Sequence, residues 1–281
     1  MGFAGRGGAP IRAAVLFLAL LLPAPSAAAE ALRQGGAGVV TEVADGDTLT
    51  IRVTETTDET PPLAQVGNSI EVRLVGIQAP KLPLGRPRFK AWPLGEDAKD
   101  VLARLAMGKD VQLAFGGASV DRNGRLLAHL YLGDGTWIQG AMLRLGQARV
   151  YTFPDNRAFV PEMLAREREA RAARRGIWGE RFYAVREAGA LARDIGTFQL
   201  VEGRVLRVAD VRGRRYLNFG ADWKTDFTVT IAPGARRSFD AAGLTAEALE
   251  GRRVRVRGWI RSFNGPMIEA THPEQIEVLE E

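Results

Sequence analysis

The sequence predicts an α+β chain, mainly β with helices, in which a five-stranded barrel with packed helices is followed by a second small barrel-like β domain. Three observations carry this. Short strand-like segments begin at Gly38, helical spacing starts only after the third of them, and a second run of strand patterns begins after residue 197. With 281 residues, 46% hydrophobic and 25% charged, the chain is long enough for two ordinary domains.

Arg6 and Arg12 precede the apolar run Ala13 to Leu22, and Pro23-Ala24-Pro25-Ser26 then leads to Ala27-Ala28-Ala29. That order makes a secretory signal peptide over 1–29, with cleavage near Ala29. The run is too short for the roughly 20 residues that span a bilayer, so no membrane span is expected. The expected product is exported, periplasmic or secreted, and its net charge falls from +5 to +3 with the two arginines.

Residues 30–37 are read as a linker. Strands follow over Gly38 to Val43, over Asp47 to Val53, where Leu49, Ile51 and Val53 alternate, and over Ile70 to Ile77. Ala98, Val101, Leu102 and Leu105 recur at helical spacing before Gly108, and strands Val111 to Phe115 and Leu126 to Leu132 come next. Helices over Ile138 to Leu145 and Ala158 to Arg175 each end at a glycine. Glu162/Arg166 and Glu167/Arg171 stand at i, i+4 in the second of these, which marks a solvated face. Three strands, a helix, two strands and two helices make an OB-type domain over 38–179.

Residues 180–197 read as a linking helix. The second domain, 198–281, has strand patterns over Val201 to Val211, Tyr216 to Phe219, Phe227 to Ile231, Arg253 to Ile260 and Met267 to Ala270, with a helix over Thr245 to Leu249. This is OB-like by pattern.

The chain has no cysteine and only His129 and His272 as imidazoles. That excludes a disulfide framework, a structural zinc site, an iron–sulfur cluster and a cysteine nucleophile, and any metal must be held by oxygen. His129 falls in the strand Leu126 to Leu132, where a packed histidine is expected, and His272 in Thr-His-Pro, where a turn is expected.

The informative motifs are Asp45-Gly46-Asp47-Thr48, Arg73-Leu74-Val75-Gly76-Ile77-Gln78-Ala79-Pro80, Asp121-Arg122-Asn123-Gly124-Arg125 and Arg174-Arg175-Gly176-Ile177-Trp178. Each alone fits a common turn or hairpin, but together and in this order they resemble the staphylococcal nuclease (thermonuclease) family over Gly38 to Gly179. The resemblance implies an OB-fold barrel of staphylococcal nuclease type and phosphodiester hydrolysis. It implies calcium held by two aspartates, a glutamate that activates water, and two arginines that clamp phosphate. Hard oxygen ligands suit calcium, and forked donors suit the charge that develops on phosphorus. By motif, Asp47 matches a calcium ligand, and Arg73 and Arg125 the phosphate clamp.

Two positions depart from the pattern. Where the family has an aspartate ligand and the glutamate, this chain has Gln78 and Lys81, and no carboxylate occurs between Gln78 and Gly95. The charges of Asp47, Lys81, Arg73 and Arg125 net to +2 without a metal, so an anion is still attracted. Gln78 takes no proton and a lysine is ordinarily protonated at neutral pH, so the base is missing. Asp47 alone is a poor metal site, which Asp45 assists little. Lys81 is either a solvated loop residue or an ammonium paired with Asp47 where calcium would lie.

Basic residues interleave with aromatics twice. Arg86, Arg88, Lys90 and Trp92 form a candidate substrate-binding loop. On the strand Arg253 to Ile260, alternation places Arg253, Arg255, Arg257 and Trp259, followed by Arg261, opposite Val254, Val256 and Ile260. Such a face either binds single strands or is an ordinary solvated surface, and near-balanced charge over 196–281, with 13 basic and 12 acidic residues, favours the latter.

The expected function is binding of nucleic-acid phosphodiesters or another anionic ligand by an exported protein whose calcium-dependent hydrolysis is impaired or lost, with no cofactor. Two rivals stay open: an active endonuclease cutting DNA or RNA with a rearranged site, and an envelope interaction or scaffold module without a nucleic-acid ligand.

Overall fold

The structure, a computed structural model, describes residues 1–2 and 32–280. Apart from residues 1 and 2, the expected signal segment 1–29 and its cleavage point lie outside the described residues. No described helix is long and apolar enough to cross a membrane.

Strands β1 (Arg33–Asp45), β2 (Thr48–Glu55) and β3 (Ser69–Leu74) lead to a two-residue strand β4 (Ile77–Gln78) and helix α1 (Gly95–Ala106). After β5 (Asp110–Phe115) and β6 (Leu126–Leu132) come α2 (Ile138–Arg144), the short β7 (Arg149–Val150) and α3 (Val160–Ala172). The five long strands close in the order β1-β2-β3-β6-β5, and β4 pairs with β7 beside them. Closure removes the sheet edges and turns Leu49, Ile51, Val72, Leu74, Leu113 and Leu130 into one core, against which α1 packs Ala98 and Leu102.

The linker expected over 30–37 is largely strand. β1 starts at Arg33 and pairs Arg33 with Phe115 and Gln34 with Ala114. Glycine permits this: a Cβ on Gly35 would meet the Phe115 ring at 2.3 Å, so the bare backbone lets that ring lie across the strand.

The expected linking helix is also absent. Residues 181–183 form a single 3₁₀ turn and Arg186–Glu187, here β8, adds a parallel strand to β9 (Phe198–Arg204). The Arg186 guanidinium donates to the carbonyls of Arg181, Phe182 and Ala184, coiling this segment on itself instead of letting it run as a helix.

The remaining elements are β10 (Arg207–Val211), β11 (Arg214–Asn218), β12 (Thr228–Ile231), α4 (Pro233–Ala241), α5 (Ala246–Leu249), β13 (Arg253–Trp259), β14 (Arg261–Ser262), β15 (Pro266–Ala270) and β16 (Ile276–Val278). They form a five-stranded sheet, β10-β11-β12-β15-β14, and a four-stranded sheet, β16-β13-β9-β8, around a shared core of Val201, Leu217, Val229, Phe239, Val256 and Ile268. The expected barrel-like unit is thus two sheets about one core. The strand expected over Val201 to Val211 breaks after Arg204, where buried Val205 carries the chain from one sheet to the other.

The two units meet along a polar and aromatic seam. Arg257 on β13 bonds Glu167 on α3, Arg157 makes a forked ion pair with Glu274, and His272 Nε2 lies 2.7 Å from Thr152 Oγ1. Two expectations fall here. Glu167 is fully buried rather than solvated, because it continues the buried stripe Val160, Met163, Leu164 and Ala170. The arginine face of β13 is spent on internal partners: Arg253 and Arg255 pair with Glu202, Arg255 and Arg257 with Glu277.

Candidate functional site

The turn Asp45-Gly46-Asp47 joins β1 to β2 and packs against the loop after β4. A Cβ on Gly46 would lie 2.6 Å from Ala79 Cβ and 2.7 Å from Ala98 Cβ, so only glycine lets the turn press between that loop and α1. This contact brings the two aspartates to Lys81. Its Nζ lies 2.6 and 2.7 Å from the two carboxylate oxygens of Asp47 and 3.2 Å from Asp45 Oδ2. Of the alternatives for Lys81, the paired ammonium is the one observed.

Asp47 is completely buried and over-supplied with donors. Ala79 N donates to Oδ2 at 2.7 Å, Thr48 Oγ1 to Oδ1, and Arg73 Nη2 stands 3.3 Å from Oδ2. Burial by itself pushes its pKa up, but the charges of Arg73 and Lys81 outweigh this and hold the carboxyl well below the usual range. Asp45 goes the other way: burial and the Asp47 charge raise it, and Lys81 offsets only part of that rise.

Arg73 is turned inward. Its Nη1 donates to the carbonyls of Asp47 and Leu74 and its Nη2 to that of Ile77, so the guanidinium stitches β2, β3 and β4 together. Arg125 stands at the start of β6, beside Glu71 on the neighbouring β3. Its Nε and Nη2 hold Asp121 at 2.8 and 2.7 Å, and Nη1 reaches Glu71 at 3.5 Å. Burial lowers the Arg125 pKa and its bonds to Asp121 more than restore it. Both arginines therefore engage protein acceptors, Arg73 far more completely.

Gln78 is engaged by an arginine. Its Oε1 accepts Nε and Nη2 of Arg149 at 3.1 and 2.7 Å across the β4–β7 pair. Arg149 is buried with its Cζ 4.6 Å from the Phe198 ring centroid and 5.7 Å from that of Trp92, and burial pushes its pKa down to about 10. Sequence reasoning missed this residue. A two-residue pairing has no periodicity to reveal it.

In the loop after β4, Arg86 folds back: it donates to Pro83 O and lies over the Phe89 ring at 3.9 Å. Arg88 and Lys90 are exposed and make no ion pair with described residues, and Trp92 is partly buried against Phe89 and Phe182. The two histidines are structural. His129 is packed and accepts from Trp137 Nε1, as a strand histidine should, whereas His272 caps a 3₁₀ turn and is buried.

The donor set does not fit calcium. That ion takes six to eight oxygens, whereas every carboxylate oxygen of Asp45 and Asp47 already accepts a protein donor and an ammonium occupies the space between them. Among the described residues no group of three or more His, Asp or Glu side chains is placed to hold a metal.

A closed five-stranded barrel with three packed helices defines an OB-type α+β domain. Residues 71–180 match the family model described as Staphylococcal nuclease homologue, so this segment, β3 to the end of the barrel unit, is similar to that family. The chain is 35% identical over 107 residues to "Probable staphylococcal-like nuclease CAN1" of Oryza sativa subsp. japonica, covering 38% of this chain and 28% of that protein. It is 34% identical to the SPbeta prophage-derived endonuclease YokF of Bacillus subtilis (strain 168), covering 42% and 39%, and 32% identical to Endonuclease YncB of the same organism, covering 42% and 55%. The chain thus spans less than two thirds of the length of these relatives.

Proposed function

We propose that the barrel domain binds nucleic-acid phosphodiesters without calcium, that calcium-dependent hydrolysis is lost, and that the protein works outside the cytoplasm after removal of residues 1–29. The observation that carries this reading is the Lys81 ammonium between Asp45 and Asp47. It supplies internally the positive charge that a bound cation would bring, and it engages both oxygens of Asp47 and one of Asp45.

Binding and hydrolysis separate on this geometry. Arg125, with Nη1 only loosely held by Glu71, and the exposed Arg88 and Lys90 present positive charge to a phosphate. Arg73 acts behind them by fixing Asp47 and the β4 backbone. The positions that the family pattern uses for ligand and base supply no free base here: Gln78 is an amide, Lys81 is an ammonium on the acids, and Asp47 spends both oxygens on Lys81, Ala79 and Thr48.

The test is fluorescence anisotropy of a labelled oligonucleotide with the purified mature protein, in chelator and in calcium, with the products run on a denaturing gel. Equal binding in both, falling with salt, and intact oligonucleotide are expected. Calcium-dependent cleavage would favour the active endonuclease to which the relatives' names point, and no binding at low salt would favour a scaffold.

A further inference from the structure

Seven rings and one guanidinium form an unbroken chain of contacts across the seam between the units. Phe153 packs on Tyr151 at 5.1 Å, Tyr151 on Phe198 at 4.9 Å and Phe198 on Trp259 at 6.4 Å. Arg149 lies between Phe198 and Trp92, and Trp92 continues to Phe182 at 5.6 Å and to Phe89 at 6.5 Å. Phe198 and Trp259 come from the second unit, the others from the first or the segment joining them.

The buried members hold the exposed ones in place. Phe198 is 5% exposed, while Phe153, Trp259 and Phe182 are 50, 44 and 42% exposed. Trp259 Nε1 donates to Tyr151 Oη at 3.0 Å, which fixes the indole while leaving ring surface in solvent. Large apolar rings held in water are costly unless something covers them.

We propose that these exposed rings form a platform that stacks the bases of unpaired nucleic acid, built jointly by the two units. The charge beside it selects this occupant. Arg88 and Lys90, on the loop that carries Phe89 and Trp92, lack ion-pair partners among the described residues, and an anionic backbone supplies them while the bases supply flat faces. A duplex keeps its bases stacked on one another and has no faces to give. Arg255 and Arg257 on β13 add nothing here, since their guanidiniums are bound internally. Arg149 ties the platform to the barrel site through Gln78, whose neighbour Ala79 holds Asp47. This inference rests on the nucleic-acid reading above and names its strandedness.

The experiment measures affinity of the full mature chain, in chelator, for a labelled oligo-dT and for a mixed-sequence duplex of equal length. The variants are Trp259→Leu, Phe182→Ala and Phe153→Ala, with Trp223→Ala as control, because Trp223 is 56% exposed and outside the chain of rings. Each platform variant is expected to weaken single-strand binding about five- to one-hundred-fold and to leave duplex binding unchanged. The control should change neither. Phe153 is half exposed and its ring contact among the described residues is with Tyr151, so Phe153→Ala is the variant expected to keep the wild-type melting temperature, and melting curves of all three identify the folded ones. Unchanged single-strand affinity in the folded variants, or an equal loss for duplex and single strand, overturns the platform while the nucleic-acid reading stands. If the wild type binds neither probe, both fall.

Discussion

Arg257 of the second unit places Nη1 3.1 Å from Glu167 Oε2 and Nη2 3.0 Å from Oε1, inside the protein. Both side chains are shut off from water, Glu277 completes the charge balance on Arg257, and Glu167 also accepts the backbone N–H of Val150, the residue after Arg149. The seam between the units is therefore electrostatically committed.

Removing Glu167 leaves Arg257 with Glu277 as its remaining carboxylate and takes away the acceptor of Arg171 and of the buried Val150 N–H. Glu167→Ala should cost about 3–5 kcal/mol of stability. Differential scanning calorimetry is the check: one transition is expected for the wild type and two separated transitions for the variant. A single transition at the wild-type temperature would show that the pair holds nothing.

His129 and His272 give the stability a pH signature. Burial pushes both imidazoles down to about 4, aided at His272 by Arg157 and Arg257 and opposed by Glu274. An unfolded histidine titrates near 6.5, so between about pH 6.5 and about pH 4 the unfolded chain binds protons that the fold refuses. Stability should fall through this window by up to about 1.4 kcal/mol per pH unit for each histidine. The raised Asp45 works against the trend, because its protonation relieves a penalty as the pH drops. Urea titrations at several pH values check this, and His272→Gln should remove roughly half the slope; a flat profile in the wild type would refute it.

Charge removal separates the loop from the strand face. Arg88→Ala and Lys90→Ala should each reduce the salt slope of single-strand binding by about 0.7. Arg255→Ala should leave that slope alone, because Arg255 is held by Glu202 and Glu277. Equal effects at all three positions would mean that binding follows general surface charge.

Much of the barrel was legible in the sequence. Alternation of Leu49, Ile51 and Val53 marked a half-buried strand, and Ala98, Leu102 and Leu105 with Gly108 beyond them marked a helix and its stop. The motifs aligned Asp47 and Arg73, and left Lys81 open between a solvated loop position and an ammonium paired with Asp47, of which the second is observed. What stayed hidden depended on partners distant in the chain. Glu167 formed a surface-like pair with Arg171, yet its spacing from Val160, Met163, Leu164 and Ala170 put it on the buried stripe, and that was the signal to follow. Strand alternation correctly separated Arg253, Arg255 and Arg257 from Val254 and Val256, but alternation says nothing about whether the polar face meets water or another carboxylate-bearing surface. Arg73 looked like a free clamp because backbone carbonyls, its actual partners, leave no trace in a sequence.

The Asp47–Lys81 contact at 2.6 Å is the heart of the functional reading. Isothermal titration of calcium into the mature wild type and into the double variant Gln78→Asp with Lys81→Glu tests it most directly, with a parallel cleavage assay. The wild type should give no binding heat, and the double variant, which adds two carboxylates and removes the ammonium, should bind calcium and move toward calcium-dependent cleavage. Micromolar calcium binding by the wild type would contradict the claim that Lys81 stands in for the cation.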